Sequence, residues 1–172
     1  ELSSLEDQFP QFKSKTSPTQ RVGGEPINEF KNIKHSIPMQ SLSNTYNKEE
    51  LIKFDERVKK LLNKKECNYI IEPKIDGVAI SIRYEYGILK YAVTRGDGIV
   101  GDDVTQNIKT IKSIPLKLLG DNLPDLLEVR GEIYLDKNKF ENLNKKRINE
   151  GKEPFANPRN ACAGSLKLLD PK

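Results

Sequence analysis

The sequence predicts an α+β fold, largely antiparallel sheet with flanking helices, on three observations. Four runs, 69–75, Val78–Glu85, Ile88–Thr94 and 126–135, are rich in Ile, Val, Leu and Tyr. The middle two are joined by Tyr86-Gly87, a two-residue turn that makes them a hairpin. Helical periodicity follows Asn47, where Leu51, Phe54, Val58, Leu61 and Leu62 recur at three- and four-residue steps.

In order along the chain, residues 1–9 read as the tail of a helix that stops before Pro10. Residues 11–28 are polar, with Pro, Ser, Thr and a Gly23-Gly24 pair, and read as a connector with a boundary near residue 28. Asn47 is placed to cap the next helix, with Glu50 at the position that closes a capping box. The strand runs follow, interrupted by a glycine-spaced acidic loop over 96–103. Asp136 then caps a helix that turns Phe140 and Leu143 inward.

The 172 residues suit one ordinary domain with an appended segment. Hydrophobic residues are only 35% of the chain, yet they fall in periodic runs, as in a folded protein. A net charge of +4 is compatible with a nucleic-acid partner without arguing for one. Of the 29 basic residues only seven are Arg, the better bidentate phosphate reader, so the Lys clusters read as solvated helix faces. Cys67 and Cys162 lie far apart, in no zinc or disulfide pattern, so reduced thiols and a cytoplasmic location are expected. No apolar stretch is long enough to span a membrane and no signal peptide is visible. The chain begins with Glu rather than Met and reads as a piece of a longer protein.

The chemistry concentrates in Glu72-Pro73-Lys74-Ile75-Asp76-Gly77. If 69–75 is a strand, Glu72, Lys74 and Asp76 share one face, while Ile71 and Ile75 take the other. In 126–135, Glu128, Arg130 and Glu132 share a face in the same way. Two strands with charged faces suggest a polar cleft, whereas wet outer faces joined by surface ion pairs are the plainer reading, and periodicity alone leans to the latter. A lysine with an unperturbed amine is protonated near neutral pH, so a nucleophilic Lys74 needs a second cation nearby, such as Arg95 or a bound metal. The Arg95-Gly96-Asp97-Gly98-Ile99-Val100-Gly101 loop could be a phosphate cradle or a tight turn, and it matches no common Gly-rich fingerprint. His35, the sole histidine, has no Ser, Cys or Asp partners that make a catalytic system, and a structural role is at least as good a reading.

With these runs stand Thr94-Arg95-Gly96-Asp97-Gly98, Glu128-Val129-Arg130-Gly131-Glu132 and Phe155-Ala156-Asn157-Pro158-Arg159-Asn160. Ser17-Pro18-Thr19-Gln20-Arg21-Val22-Gly23-Gly24 and His35-Ser36-Ile37-Pro38-Met39 precede them. Together, co-linear and spread over essentially the whole chain, they resemble the bacterial NAD-dependent DNA ligases. The resemblance implies an ATP-grasp-like nucleotidyltransferase (adenylation) fold, incomplete here. Residues 1–28 would be the remnant of an N-terminal helical segment that grips nicotinamide mononucleotide, plus a linker, and 29–172 the first part of the adenylation domain. Lys74 would be the residue adenylated, with Asp76 completing the catalytic motif. Glu72, Ser41, Leu42, Arg95 and Glu132 would bind the nucleotide, Glu132 also lying near the metal. Arg159 and Lys167 would serve nicked DNA.

The partners implied are NAD and AMP, magnesium (or manganese), and nicked double-stranded DNA in the full-length enzyme, which is expected to be a monomer acting in replication and repair. Zinc would belong only to a C-terminal module absent here. Two departures stand out. Lys167 occupies a position where an Arg is common, and loses the bidentate fork. Cys162 stands where a small Ala is usual, and reads as packing. A fragment cut in this way is expected not to complete nick sealing. An ATP-dependent ligase or capping-type nucleotidyltransferase shares the Lys-x-Asp-Gly core, but the 19–24 and 38–42 stretches favour the NAD type. A non-catalytic nucleic-acid module would call for interleaved aromatics, and the chain has no Trp and scattered Tyr and Phe.

Overall fold

The computed structural model describes residues 1–21 and 29–168. The described chain divides into two compact units, Glu1–Met39 with Ile75–Lys172, and Gln40–Lys74. The predicted boundary near residue 28 lies outside the described residues.

The larger unit begins with α1 (Leu2–Gln8), which ends before Pro10 as predicted. Single turns at Pro10–Phe12 and Pro18–Arg21 occupy the described part of the connector. Its principal sheet has the order β3-β2-β5, all antiparallel, with β2 at Val78–Glu85, β3 at Ile88–Thr94 and β5 at Leu126–Ile133. These are the runs expected from sequence. Tyr86 (φ 50°) and Gly87 (φ 73°) both take the left-handed region, the geometry of a two-residue hairpin turn.

The even-numbered residues of β2 build the core. Ile80, Ile82 and Tyr84 are buried with Leu89, Ala92, Val104, Ile108 and Leu166. Tyr84 reconciles its hydroxyl with burial by donating to Pro115 O at 2.9 Å. The opposite face of β2 meets the charged side of β5, with Ala79 opposite Glu132, Ser81 opposite Arg130 and Arg83 opposite Glu128.

Three elements were not foreseen. A two-stranded sheet pairs β1 (Asn32–Lys34) with β4 (Val100–Asp102), which lies inside the expected acidic loop. Three-residue strands are too short to show periodicity. Helix α3 (Thr105–Lys109) is likewise only five residues long. Helix α5 (Pro158–Leu166) carried a readable signal: Asn157 accepts the Asn160 N–H at 2.8 Å and Pro158 sits at the first helical position. The expected α4 (Lys137–Asn149) is present, its cap Asp136 accepting from Asn138 N at 2.9 Å, with Phe140 and Leu143 half-buried.

The smaller unit contains α2 (Lys48–Leu62) and the chain that follows it. Asn47 Oδ1 accepts the Glu50 N–H at 2.9 Å, while Glu50 reaches back to Tyr46 N at 2.8 Å, one residue beyond the expected capping-box donor. Tyr69 packs on Phe54 (centroids 6.2 Å apart) and donates to Asp55 at 2.8 Å. That hydrogen bond, then burial, pushes the Tyr69 phenol up to about 12.

The strand expected over 69–75 does not form. Pro73 cannot donate to a ladder, and no strand among the described residues pairs with this segment. Ile70 and Ile71, 90% and 95% exposed, have no layer to pack against. The alternation argument for Glu72, Lys74 and Asp76 therefore fails here.

Candidate nucleotide-transfer site

The residues singled out from sequence divide between the two units. Ser41, Leu42, Glu72 and Lys74 are exposed residues of Gln40–Lys74. Asp76, Arg95, Glu132, Arg159 and Lys167 belong to the larger unit.

Within the larger unit, the second half of the Lys-x-Asp-Gly run is anchored to β5. Gly77 N–H donates to Glu132 Oε1 at 3.1 Å. A Cβ on Gly77 would stand 2.2 Å from Ile133 O, so only glycine permits this approach. Next to it, Arg159 Nη1 of α5 lies 3.3 Å from Asp76 Oδ1, an exposed ion pair. Asp76, Glu132 and Arg159, chosen on separate motifs, thus sit around the start of β2 and the end of β5. Lys167 is elsewhere: its Nζ lies 2.6 Å from Asp102 Oδ2, a partner that sequence reasoning missed because the two are remote in the chain.

The 95–101 loop is a tight turn. Its amides are engaged internally: Gly98 N to Arg95 O at 2.9 Å, Asp97 N to Val100 O at 3.3 Å, and Ile99 and Val100 N both to Asp97 Oδ1 at 2.8 Å. Amides so occupied are not available to cradle a phosphate. The Val100 and Ile99 amides hold the Asp97 carboxyl below the usual carboxylate range.

The charged face of β5 is covered by the strap 35–39. Glu128 accepts from Ser36 Oγ, and Arg130 donates to the carbonyls of Ile37 and of Pro38, the latter at 3.1 Å. Burial raises the Glu128 carboxyl, but hydrogen bonds from Ser36, Arg130 and Ser81 outweigh it and leave a net lowering. His35 is buried, and its Nε2 lies 3.2 Å from Arg95 O. A carbonyl can only accept, so Nε2 carries the proton and the histidine is structural.

An apolar cavity of about 320 Å³ lies between β5, α3 and α5, lined by Ile111, Ile133, Leu135, Cys162 and Leu166 among others. Cys162 is buried there with Sγ 3.4 Å from Ile133 O, and burial pushes its thiol up, as a packing residue. Among the described residues no helix is long and apolar enough to cross a membrane, and no three His, Cys, Asp or Glu side chains cluster to hold a metal.

A lysine run bound to a glutamate-bearing strand matches a known group of proteins along nearly its whole length. The chain belongs to the NAD-dependent DNA ligase adenylation domain family, whose model matches residues 27–172. Among curated relatives, a protein named DNA ligase from Methylacidiphilum infernorum is 54% identical over 172 residues, 100% of this chain and 25% of its own length. The DNA ligases of Marinomonas sp. (53% over 172 residues, 100% and 26%) and Thermotoga maritima (53% over 169 residues, 98% and 24%) agree. The chain spans about a quarter of the length of these relatives.

Proposed function

We propose that this chain is the AMP-accepting part of an NAD-dependent DNA ligase with a nucleotidyltransferase fold, and that Lys74 is its nucleophile. The observation that carries the reading is the Lys74-Ile75-Asp76-Gly77 run, inside the family match, with Gly77 bonded to Glu132. The Lys74 amine attacks the adenosine-side phosphorus of NAD. A P–N bond forms, the P–O bond to nicotinamide mononucleotide breaks, and the amine sheds its proton, leaving lysyl-AMP. Glu72, Ser41 and Leu42 hold the adenosine half, and Arg95 faces the ribose and phosphate.

The full-length protein then passes AMP to a 5′-phosphate at a nick, and the 3′-hydroxyl displaces AMP to seal it, in replication and repair. Arg159 and Lys167 would serve the DNA-bound stage. The protein acts as a monomer in the bacterial cytoplasm. Glu132 suits magnesium, which takes one or two carboxylates together with substrate phosphates rather than a full protein cage. Bound there, magnesium would neutralise charge developing on the phosphate.

Intact mass after incubation with NAD or ATP and magnesium, on this chain and on the full-length protein, tests the reading. One AMP gained from NAD alone, lost in Lys74→Ala, is expected. Adenylation by ATP instead, or on another residue, overturns it.

A further inference from the structure

Glu128 and Arg130 have no role in the nucleotide chemistry above, yet their side chains make a specific structure. The strap 35–39 runs between two supports. On one edge, His35 N–H donates to Ile99 O at 2.9 Å and Met39 N–H to Gly98 O at 2.8 Å. Gly98 (φ +95°) is required there, because a Cβ would lie 2.9 Å from Met39 O. Between these two bonds comes Pro38, which has no N–H to give. On the other edge the strap is held by side chains: Arg130 takes the carbonyls of Ile37 and Pro38, and Glu128 takes the Ser36 hydroxyl. Glu128 Oε1 in turn receives Arg130 Nε at 3.2 Å and Nη2 at 3.0 Å, so the guanidinium plane is fixed from behind.

Adhesion alone does not call for this arrangement. Apolar side chains on β5 would pack a strap without desolvating a guanidinium and a carboxylate, and such replacements are often neutral or stabilising. What a planar, doubly bonded guanidinium adds is position, since it sets two successive carbonyls at a fixed spacing. The strap ends at Met39, buried, and the chain continues directly to Gln40, Ser41 and Leu42.

We propose that Glu128 and Arg130 are positioning residues for nucleotide binding: they fix the strap 35–39 and thereby the backbone that delivers Ser41 and Leu42 to NAD. This rests on the function proposed above for Ser41 and Leu42. The step affected is ground-state binding of NAD rather than bond formation at Lys74. Loss of the clamp should therefore raise KM and spare the maximal rate.

The test compares Arg130→Ala, Arg130→Lys and Glu128→Gln in the full-length protein, reading KM for NAD and the maximal rate of Lys74 adenylation by intact mass. Hydrogen exchange at the His35 and Met39 amides is read in parallel. Asn144→Ala serves as control, since Asn144 bonds both the carbonyl and the amide of Phe155 in the same unit. Arg130→Ala should raise KM by roughly tenfold, in keeping with the loss of charge-assisted hydrogen bonds, and speed exchange at Met39. Arg130→Lys should recover part of this, and Asn144→Ala should lower stability without moving KM. Unchanged exchange at His35 and Met39, or an equal rise in KM in Asn144→Ala, overturns the proposal. Should Arg130→Ala not fold, Ser36→Ala, which removes only the Glu128 contact, gives the same readings. Absence of any AMP transfer from NAD in the wild type overturns the proposed function instead, and the exchange measurement still decides the clamp.

Discussion

Glu132 and Gly77 are joined by a hydrogen bond, Gly77 N–H to Glu132 Oε1 at 3.1 Å, which fastens the end of the nucleophile motif to β5. The bond depends on how closely the two backbones approach: a Cβ on Gly77 would also stand 2.9 Å from the Ile133 carbonyl carbon and 3.0 Å from Glu132 Cγ. Both backbone atoms belong to the sheet and cannot swing aside. Gly77→Ala must therefore displace the chain from β5, at a cost of about 1–3 kcal/mol, the usual range for overpacking. Glu132→Gln keeps an acceptor oxygen and should lose less. Chemical denaturation of both variants checks this, and an alanine variant as stable as wild type would mean the contact is looser than described.

Arg21 is tied to chain nearly ninety residues away. Its Nη1 donates to Lys109 O at 3.1 Å and Ile111 O at 3.0 Å, and its Nη2 to Ile114 O at 2.9 Å. These carbonyls close α3 and the turn after it, beside the core residues Ile108 and Tyr84. Arg21→Ala should cost about 2–3 kcal/mol, as expected for hydrogen bonds to a charged donor. Arg21→Lys should recover less than half, because a single ammonium cannot span three carbonyls. Urea unfolding with an unchanged slope would confirm the loss. Equal stability of the Lys variant and wild type would show that charge, not the fork, matters.

The strands β2, β3 and β5 were legible because each alternates over seven or eight residues and a left-handed pair joins the first two. The same rule misled at 69–75, where β-branched residues are present but Pro73 and the lack of a partner strand among the described residues forbid a ladder. Propensity reads the segment, whereas strand formation is a property of a pair. At the site, the motifs identified Asp76, Glu132 and Arg159, and the structure sets them near one another. The Lys167–Asp102 pair, the Arg21 clamp and the hold of Arg130 on the strap were illegible, since each joins residues more than sixty positions apart with no pattern to announce it.

The Asn47 cap offers a local test in the smaller unit. Asn47 accepts the Glu50 N–H, and Glu50 in turn accepts from Tyr46 N and Asn47 Nδ2. Asn47→Ala should cost about 1 kcal/mol of helix stability, the typical loss for an N-cap. Asn47→Asp should retain it, with a favourable charge at the helix N-terminus. Amide exchange in the first turn of α2 reads the effect, and equal protection in the alanine variant would count against the cap.

Asp97 gives a pH signature that can be separated from those of other carboxylates. Its Oδ1 accepts two backbone amides, from Val100 and Ile99, and these hold its pKa below that of the unfolded chain. With a depressed folded value, the unfolded state binds more protons in acid, so stability rises with pH through this range. The contribution is fully present above the unfolded value, about pH 4, and is lost as the pH falls through the folded one. Asp97→Asn retains an oxygen acceptor but cannot titrate, whereas Asp97→Ala removes the acceptor and should be less stable at every pH. Glu128 and Glu150 are depressed too, so the wild-type curve alone does not isolate Asp97. The difference in Tm between wild type and Asp97→Asn does, because those carboxylates cancel. It should be small near pH 2 and grow to a plateau by about pH 5. A difference that stays flat across that range would mean the amides bond the neutral carboxyl as well as the charged one, and that the turn is held by its glycines alone.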